Sequence, residues 1–128
     1  MDVGCGSRPY RKEGYETVCI DTYADYTPQA EDQRHAVKVE HRDYLVRASG
    51  EHTPFKDNVF PLVVARHTIE RVDQPFRMLK ELIRVSDQKI LIKCPHRFSI
   101  GAKKPLHKHY FNRTWFRNTL KNFNVKYK

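Results

Sequence analysis

Apolar positions along the chain follow two periods. Short β-type runs recur at Val18 to Ile20 in "ETVCID", at Tyr44 to Ala48 in "YLVRAS", at Phe60 to Ala65 in "FPLVVA" and at Lys89 to Cys94 in "KILIKC". The third is nearly continuous, as expected of a strand buried on both faces. Between the last two runs the period changes. In "DQPFRMLKELIRV", Phe76, Leu79 and Ile83 recur at i, i+3 and i+7, with Asp73 available as a cap and Pro75 in the first turn. This predicts an amphipathic helix joining two buried strands. A second helix is predicted in "NRTWFRNTLKNF", capped by Thr114 and apolar along Phe116, Leu120 and Phe123, before a short run "NVKYK". Strands alternating with helices specify an α/β fold built on a mainly parallel sheet flanked by helices. Residues 23–43 read as a loop with some helix. The first strand is short, Met1 to Val3.

Length places all 128 residues in one domain with one core. The hydrophobic share is 39%. No apolar run reaches the ~20 residues that span a bilayer, so no membrane partner is expected. No basic segment followed by an apolar stretch opens the chain, so no secretory signal is read. Cys5, Cys19 and Cys94 form no CxxC pair, which suits neither a disulfide framework nor a zinc site. The expected compartment is a reducing cytoplasm. Charge is divided unevenly: residues 1–64 carry 8 Lys/Arg against 11 Asp/Glu, and residues 65–128 carry 16 against 4. The second half therefore suits an anionic partner, although a solvated basic face would have the same composition.

The chain opens "MDVGCGSRPY", with Gly4 and Gly6 directly behind a short apolar run. Glycine serves where the backbone must take positive φ or admit a ligand closely, and a glycine turn after the first strand of an open parallel sheet commonly meets a cofactor. The dinucleotide pattern GxGxxG is disfavoured, because Pro9 stands at its third glycine and only 11 residues separate Gly6 from Val18. The shorter acid-x-G-x-G of nucleoside cofactors remains.

Taken in order, "DVGCGSRPY", "VCIDTY", "SGEHTPFKDNVFPLVVARHTIERV", "FRMLKELIRV" and "ILIKCPH" resemble the motifs of class I S-adenosylmethionine-dependent methyltransferases of the type 11 group. The likeness runs from residue 2 to about residue 96, and "PLHKHYFNRTWFRNTL" looks like the histidine-rich loop and helix that follow in many members. It implies a Rossmann-like methyltransferase fold and S-adenosyl-L-methionine as cofactor. By the resemblance, Gly4, Cys5 and Gly6 would approach the methionine portion, with Asp2 fixing the loop. Asp21, with Thr22 beside it, would accept the ribose hydroxyls. Ser49, Gly50 and Glu51 would border the adenine, and Arg66 and His67 would lie near the methionine carboxylate and the transferable methyl.

The chain departs from that pattern in several places. Ser49 stands where an acid often meets the adenine amine, Pro61 where an acid often precedes the central strand, and Arg71 where a histidine often follows the glutamate. Pro61 predicts that the strand starts there. The family generally has one more strand than "NVKYK" leaves, so a pared-down member with a missing last strand is expected. An exposed sheet edge would then either pair in a homodimer or be blunted by Lys126 and Lys128.

Methyl transfer needs alignment above all, with a base if the acceptor carries a proton. The candidate bases are His67, His96, His107 and His109. His107 and His109 would share one side of an extended segment, but two ligands without a third make no metal site. The acceptor is a small molecule or RNA. For RNA, Arg113, Arg117 and Lys121 would form a basic stripe, with Lys103, Lys104 and Lys108 ahead of it and Tyr110 or Trp115 stacking on a base. The alternative is a non-catalytic nucleic-acid-binding or cofactor-sensing module on a degenerate methyltransferase fold.

Overall fold

The computed structural model describes residues 1–6, 9–22 and 44–123. The helical content expected within residues 23–43, the run "NVKYK" and the edge lysines 126 and 128 lie outside the described residues.

Five parallel strands form one sheet in the order β3-β2-β1-β4-β5. They are β1 (Asp2–Val3), β2 (Val18–Asp21), β3 (Tyr44–Arg47), β4 (Phe60–Arg66) and β5 (Ser86–Lys93). The expected parallel α/β architecture is thus observed. The order reverses between β1 and β4, so the carboxyl ends of these strands open a crevice of the kind in which α/β sheets bind ligands. Although β1 has only two residues, it is paired on both sides: Val3 lies opposite Ile20 of β2 and Ala65 of β4.

Helix α1 (Pro75–Val85) crosses from β4 to β5. Its buried face is Met78, Leu79, Leu82 and Val85, whereas Phe76, expected in the core, is 49% exposed and lies against the Phe123 ring at 5.8 Å. Ile83 is only partly buried. The stripe is rotated because the sheet presents Val3, Ile20, Val63 and Ala65 to Met78, Leu82 and Val85, which form one buried cluster with them. Cys5 and Cys19 form a smaller buried cluster with Leu45 packed against it.

Both predicted caps are corrected. The residue at the start of α1 is Gln74 rather than Asp73, and it makes no side-chain cap. Instead, Glu51 Oε1 accepts from the Gln74 N–H at 2.5 Å, supplying from a neighbouring loop the acceptor that a local cap normally provides. Asp73 pairs with Lys108. At α2 (Arg113–Leu120) the cap is Asn112, whose side chain accepts from Trp115 N at 2.8 Å, rather than Thr114.

β5 also begins earlier than the pattern suggests, at Ser86 immediately after α1. Its register against β4 shifts between Phe60 and Leu62: Phe60 faces Ser86 and Leu62 faces Lys89. Pro61 stands at this irregularity. Lacking an N–H for the ladder, it is tolerated where pairing is already interrupted.

Candidate functional site

Gly4 and Gly6 turn the chain off β1 with φ of 67° and 51°. They differ in surroundings. A Cβ on Gly4 would meet Thr68 Oγ1 at 2.3 Å, whereas one on Gly6 would have nothing within 4 Å among the described residues. Gly4 therefore serves close packing inside the protein, and Gly6 leaves open space on its outer side.

The turn is held by two acids. Asp21, at the end of β2, accepts from Gly6 N through Oδ2 at 3.0 Å. Asp2 is 1% exposed, and its Oδ2 accepts from Tyr10 N at 2.6 Å. Burial pushes the Asp2 carboxyl above the ordinary carboxylate range, partly offset by the Tyr10 N–H and by Arg66. Arg66, at the end of β4, reaches Asp2 Oδ2 at 3.6 Å and lies over the Tyr10 ring. The ends of β1, β2 and β4 are thus tied into one polar rim. Cys5 is buried beneath it, and its thiol is pushed upward by a hydrogen bond with Cys19 and by burial, so it is an inert packing group. Thr22 is exposed beside Asp21.

The 49–51 segment packs against β1 and the start of α1. Gly50 is buried, and a Cβ there would lie 2.6 Å from Val3 Cγ1. Ser49 Oγ donates to Glu51 Oε2 at 3.3 Å, and the other Glu51 oxygen holds the start of α1. These side chains therefore support β1 and α1. Further along, Thr53 N and Oγ1 donate to Glu81 Oε1 at 2.8 and 2.7 Å, and Arg84 forks onto the same carboxylate at 2.8 and 2.6 Å. Led by Arg84, these donors hold the Glu81 carboxyl down to about 2.

The four histidines occupy different environments. His67 follows β4 with φ of 55°, and its N–H donates to Lys93 O at 2.7 Å. Positive φ is sparse for such a residue and marks strain at the mouth of the crevice. His96 is exposed after β5, with Nδ1 accepting from Phe98 N at 3.4 Å. His107 and His109 diverge: His107 Nδ1 donates to Ala102 O at 3.0 Å, and His109 Nε2 donates to Val72 O at 3.0 Å. Carbonyls only accept, so these bonds settle which nitrogen carries hydrogen. Among the described residues no three His, Cys, Asp or Glu side chains converge as a metal site.

An open cleft of about 660 Å³ lies in the segment after β5, lined by Arg97, Phe98, Lys103, Lys104, Pro105, His107 and Tyr110. Among the described residues no carboxylate lines it. Trp115 is turned away from such a role, packed on Phe111 and Phe116 with ring centroids 4.6 and 4.9 Å apart. Arg113, Arg117 and Lys121 are exposed.

Thr68, Tyr10 and Glu70 were not singled out as site residues by the sequence patterns. Thr68 Oγ1 lies 3.0 Å from Val3 O and 3.1 Å from Arg66 O, joining the ends of β1 and β4. Glu70 is 1% exposed. A charged residue three positions after a strand-end histidine, within "HTIERV", was the available signal.

A parallel sheet with a glycine turn and an acid at adjacent strand ends defines an open α/β domain with a crevice at its strand ends. Residues 1–89 match the family model of the methyltransferase domain, and the chain belongs to that family. No curated protein matches it. Among solved structures it is similar to a SAM-dependent methyltransferase from Thermotoga maritima, titled a possible histamine N-methyltransferase, with TM-score 0.62 and 17% identity, covering 94% of this chain and 60% of that one. It is also similar to the YcgJ protein from Bacillus subtilis, with TM-score 0.65 and 14% identity, covering 94% of this chain and 58% of the other. The likeness establishes the shared fold. No helix among the described residues is long and apolar enough to cross a membrane.

Proposed function

We propose that the protein binds S-adenosyl-L-methionine at the carboxyl ends of β1, β2 and β4 and transfers its methyl group to an anionic acceptor. The observation that carries this reading is the Gly6 N to Asp21 Oδ2 contact of 3.0 Å, made at a turn whose outer side meets none of the described residues. The residues fit the cofactor: a carboxylate at the end of β2 suits a pair of ribose hydroxyls, and a side-chain-free turn at Gly6 admits the chain of the amino acid. When bound, the cofactor supplies an electrophilic methyl on sulfonium. The protein's own contribution is alignment by the rim of Asp2, Asp21 and Arg66, with exclusion of water.

The acceptor's charge is inferred from the cleft. Arg97, Lys103 and Lys104 surround it without forming an ion pair among the described residues, while Tyr110 is 52% exposed at its edge. This combination suits single-stranded RNA, with phosphates on the cations and a base stacked on Tyr110. An anionic small molecule would use the same cations.

Calorimetry with S-adenosylmethionine tests the first part, and label transfer from the cofactor to fractionated RNA or metabolites tests the second. No cofactor binding at millimolar concentration removes the enzyme reading. Binding of RNA with no cofactor-dependent label supports instead a non-catalytic nucleic-acid-binding module on the same fold.

A further inference from the structure

Glu70 is buried at 1% exposure, and neither of its carboxyl oxygens has a hydrogen-bond partner among the described residues. A lone carboxylate in a low-dielectric interior is strongly unfavourable, so a proton or cation must answer it. The backbone does not. Lys108 N and His109 N donate at 2.8 and 3.1 Å, but to the Glu70 carbonyl. No Lys or Arg pairs with the carboxyl among the described residues. The nearest nitrogens are His67 Nδ1 at 3.5 Å and His107 Nε2 at 3.7 Å, both from Oε1. Cys94, after β5, also faces it, its thiol raised to about 11 by burial and by the Glu70 charge. His109 is committed to Val72 O.

The two imidazoles differ. The His107 side chain is 3% exposed, and its Nδ1 hydrogen is already given to Ala102 O. If Glu70 were ionised and His107 neutral, lone pairs would face each other across 3.7 Å. One proton removes that repulsion. The His67 side chain, by contrast, is 48% exposed, with Nδ1 turned toward Glu70 and its backbone held at positive φ.

We propose that Glu70 and His107 hold one proton between them, and that Glu70 Oε1 fixes His67 as the Nδ1–H tautomer, leaving the Nε2 lone pair to accept a proton from the methyl acceptor. Glu70 is thus a positioning residue acting through His67. The acceptor step rests on the methyltransferase reading. In that step the acceptor's covalent N–H or O–H bond breaks, and an electron pair of that N or O forms the new bond to the methyl carbon. The carbon–sulfur pair stays on sulfur, and the proton passes to His67 Nε2 and then to water.

The test is long-range proton–nitrogen correlation spectroscopy of the histidine rings, with the Glu70 side-chain carboxyl carbon shift, on the full chain at neutral pH without cofactor. The expected result is one proton on the Glu70–His107 pair, whichever atom carries it, and a neutral His67 bearing hydrogen on Nδ1, against the ordinary preference of a free imidazole for Nε2–H. In Glu70→Leu, which removes both side-chain acceptors, His67 should revert to that ordinary preference. Should this variant fail to fold, the wild-type spectra decide alone. An ionised Glu70 beside a neutral His107, or His67 protonated on Nε2, overturns the proposal. Absence of cofactor binding in calorimetry with the expected ring states would overturn only the acceptor step.

Discussion

Thr68 occupies the space that a side chain at position 4 would need: its Oγ1 lies 2.3 Å from where a Cβ on Gly4 would stand. The same hydroxyl sits 3.0 Å from Val3 O and 3.1 Å from Arg66 O. One threonine therefore sets the distance between the glycine turn and the end of β4. Gly4→Ala combines steric overlap with a positive φ, and a loss of about 2 to 4 kcal/mol is expected. Gly6→Ala meets open space, so only the conformational cost of about 1 to 2 kcal/mol applies. Urea midpoints for both variants, and for Gly4→Ala combined with Thr68→Ala, check this. Equal losses at the two glycines, or no recovery in the double variant, would remove the packing role of Thr68.

Asp21 holds Gly6 N, and under the proposed function it also accepts the cofactor's ribose hydroxyls. Asp21→Ala should weaken S-adenosylmethionine binding by about ten- to a hundredfold, corresponding to ~1.5–3 kcal/mol of charge-assisted hydrogen bonding. Calorimetry measures it. An unchanged affinity assigns ribose recognition elsewhere.

Thr53, Glu81, Arg84 and Asp57 clamp the 53–57 loop to α1. The Glu81 carboxyl lies near 2 in the folded protein, below its ordinary value of 4.5, because of Arg84 foremost and then the Thr53 donors. A depressed carboxylate stabilises fully above its unfolded value, and that stability is lost as pH falls from there through the folded one. Glu81→Gln should therefore reduce stability by about 1 to 2 kcal/mol near pH 7 and by much less at pH 3. Denaturant titrations at the two pH values compare them. A loss that is equal at both would show that Glu81 acts through shape rather than charge.

RNA binding, if the acceptor is RNA, should weaken with salt at a log-log slope of about −0.7 per phosphate neutralised. Replacing Lys103 and Lys104 with Ala should flatten the slope by about 1.4, and replacing Arg113, Arg117 and Lys121 together by about 2. Tyr110→Ala should lower affinity without altering the slope, since stacking releases no counterions. Filter binding across a salt series gives all three values. An unaltered slope in both lysine and arginine variants would redirect the search to small anionic acceptors.

Much of the architecture was legible in one dimension. The near-continuous run around Val63 and the 3.6-residue period of α1 are properties of the local pattern, because strand and helix each repeat their side-chain directions over a few residues. The glycine turn and Asp21 were also legible, since position 4 and position 6 need positive φ and an acid ends the next strand. The caps were not. Glu51 reaches Gln74 across 23 residues, and a propensity for local capping at Asp73 cannot anticipate an acceptor delivered from another loop.

The sequence by itself determined the order of strands and helices, the parallel class of the sheet and the family motifs, all of which rest on spacing along the chain. The tertiary structure decided which face of α1 is buried, since that depends on where Val3, Ile20 and Val63 stand in the sheet. It also separated His107 from His109, two residues apart but bound to Ala102 and Val72 respectively. Finally, it brought Glu70 between two imidazoles, His67 near in sequence and His107 thirty-seven residues on. The physical reason is the same in each case: burial and charge act through distance in space, and strand pairing places residues together that chain spacing leaves unrelated.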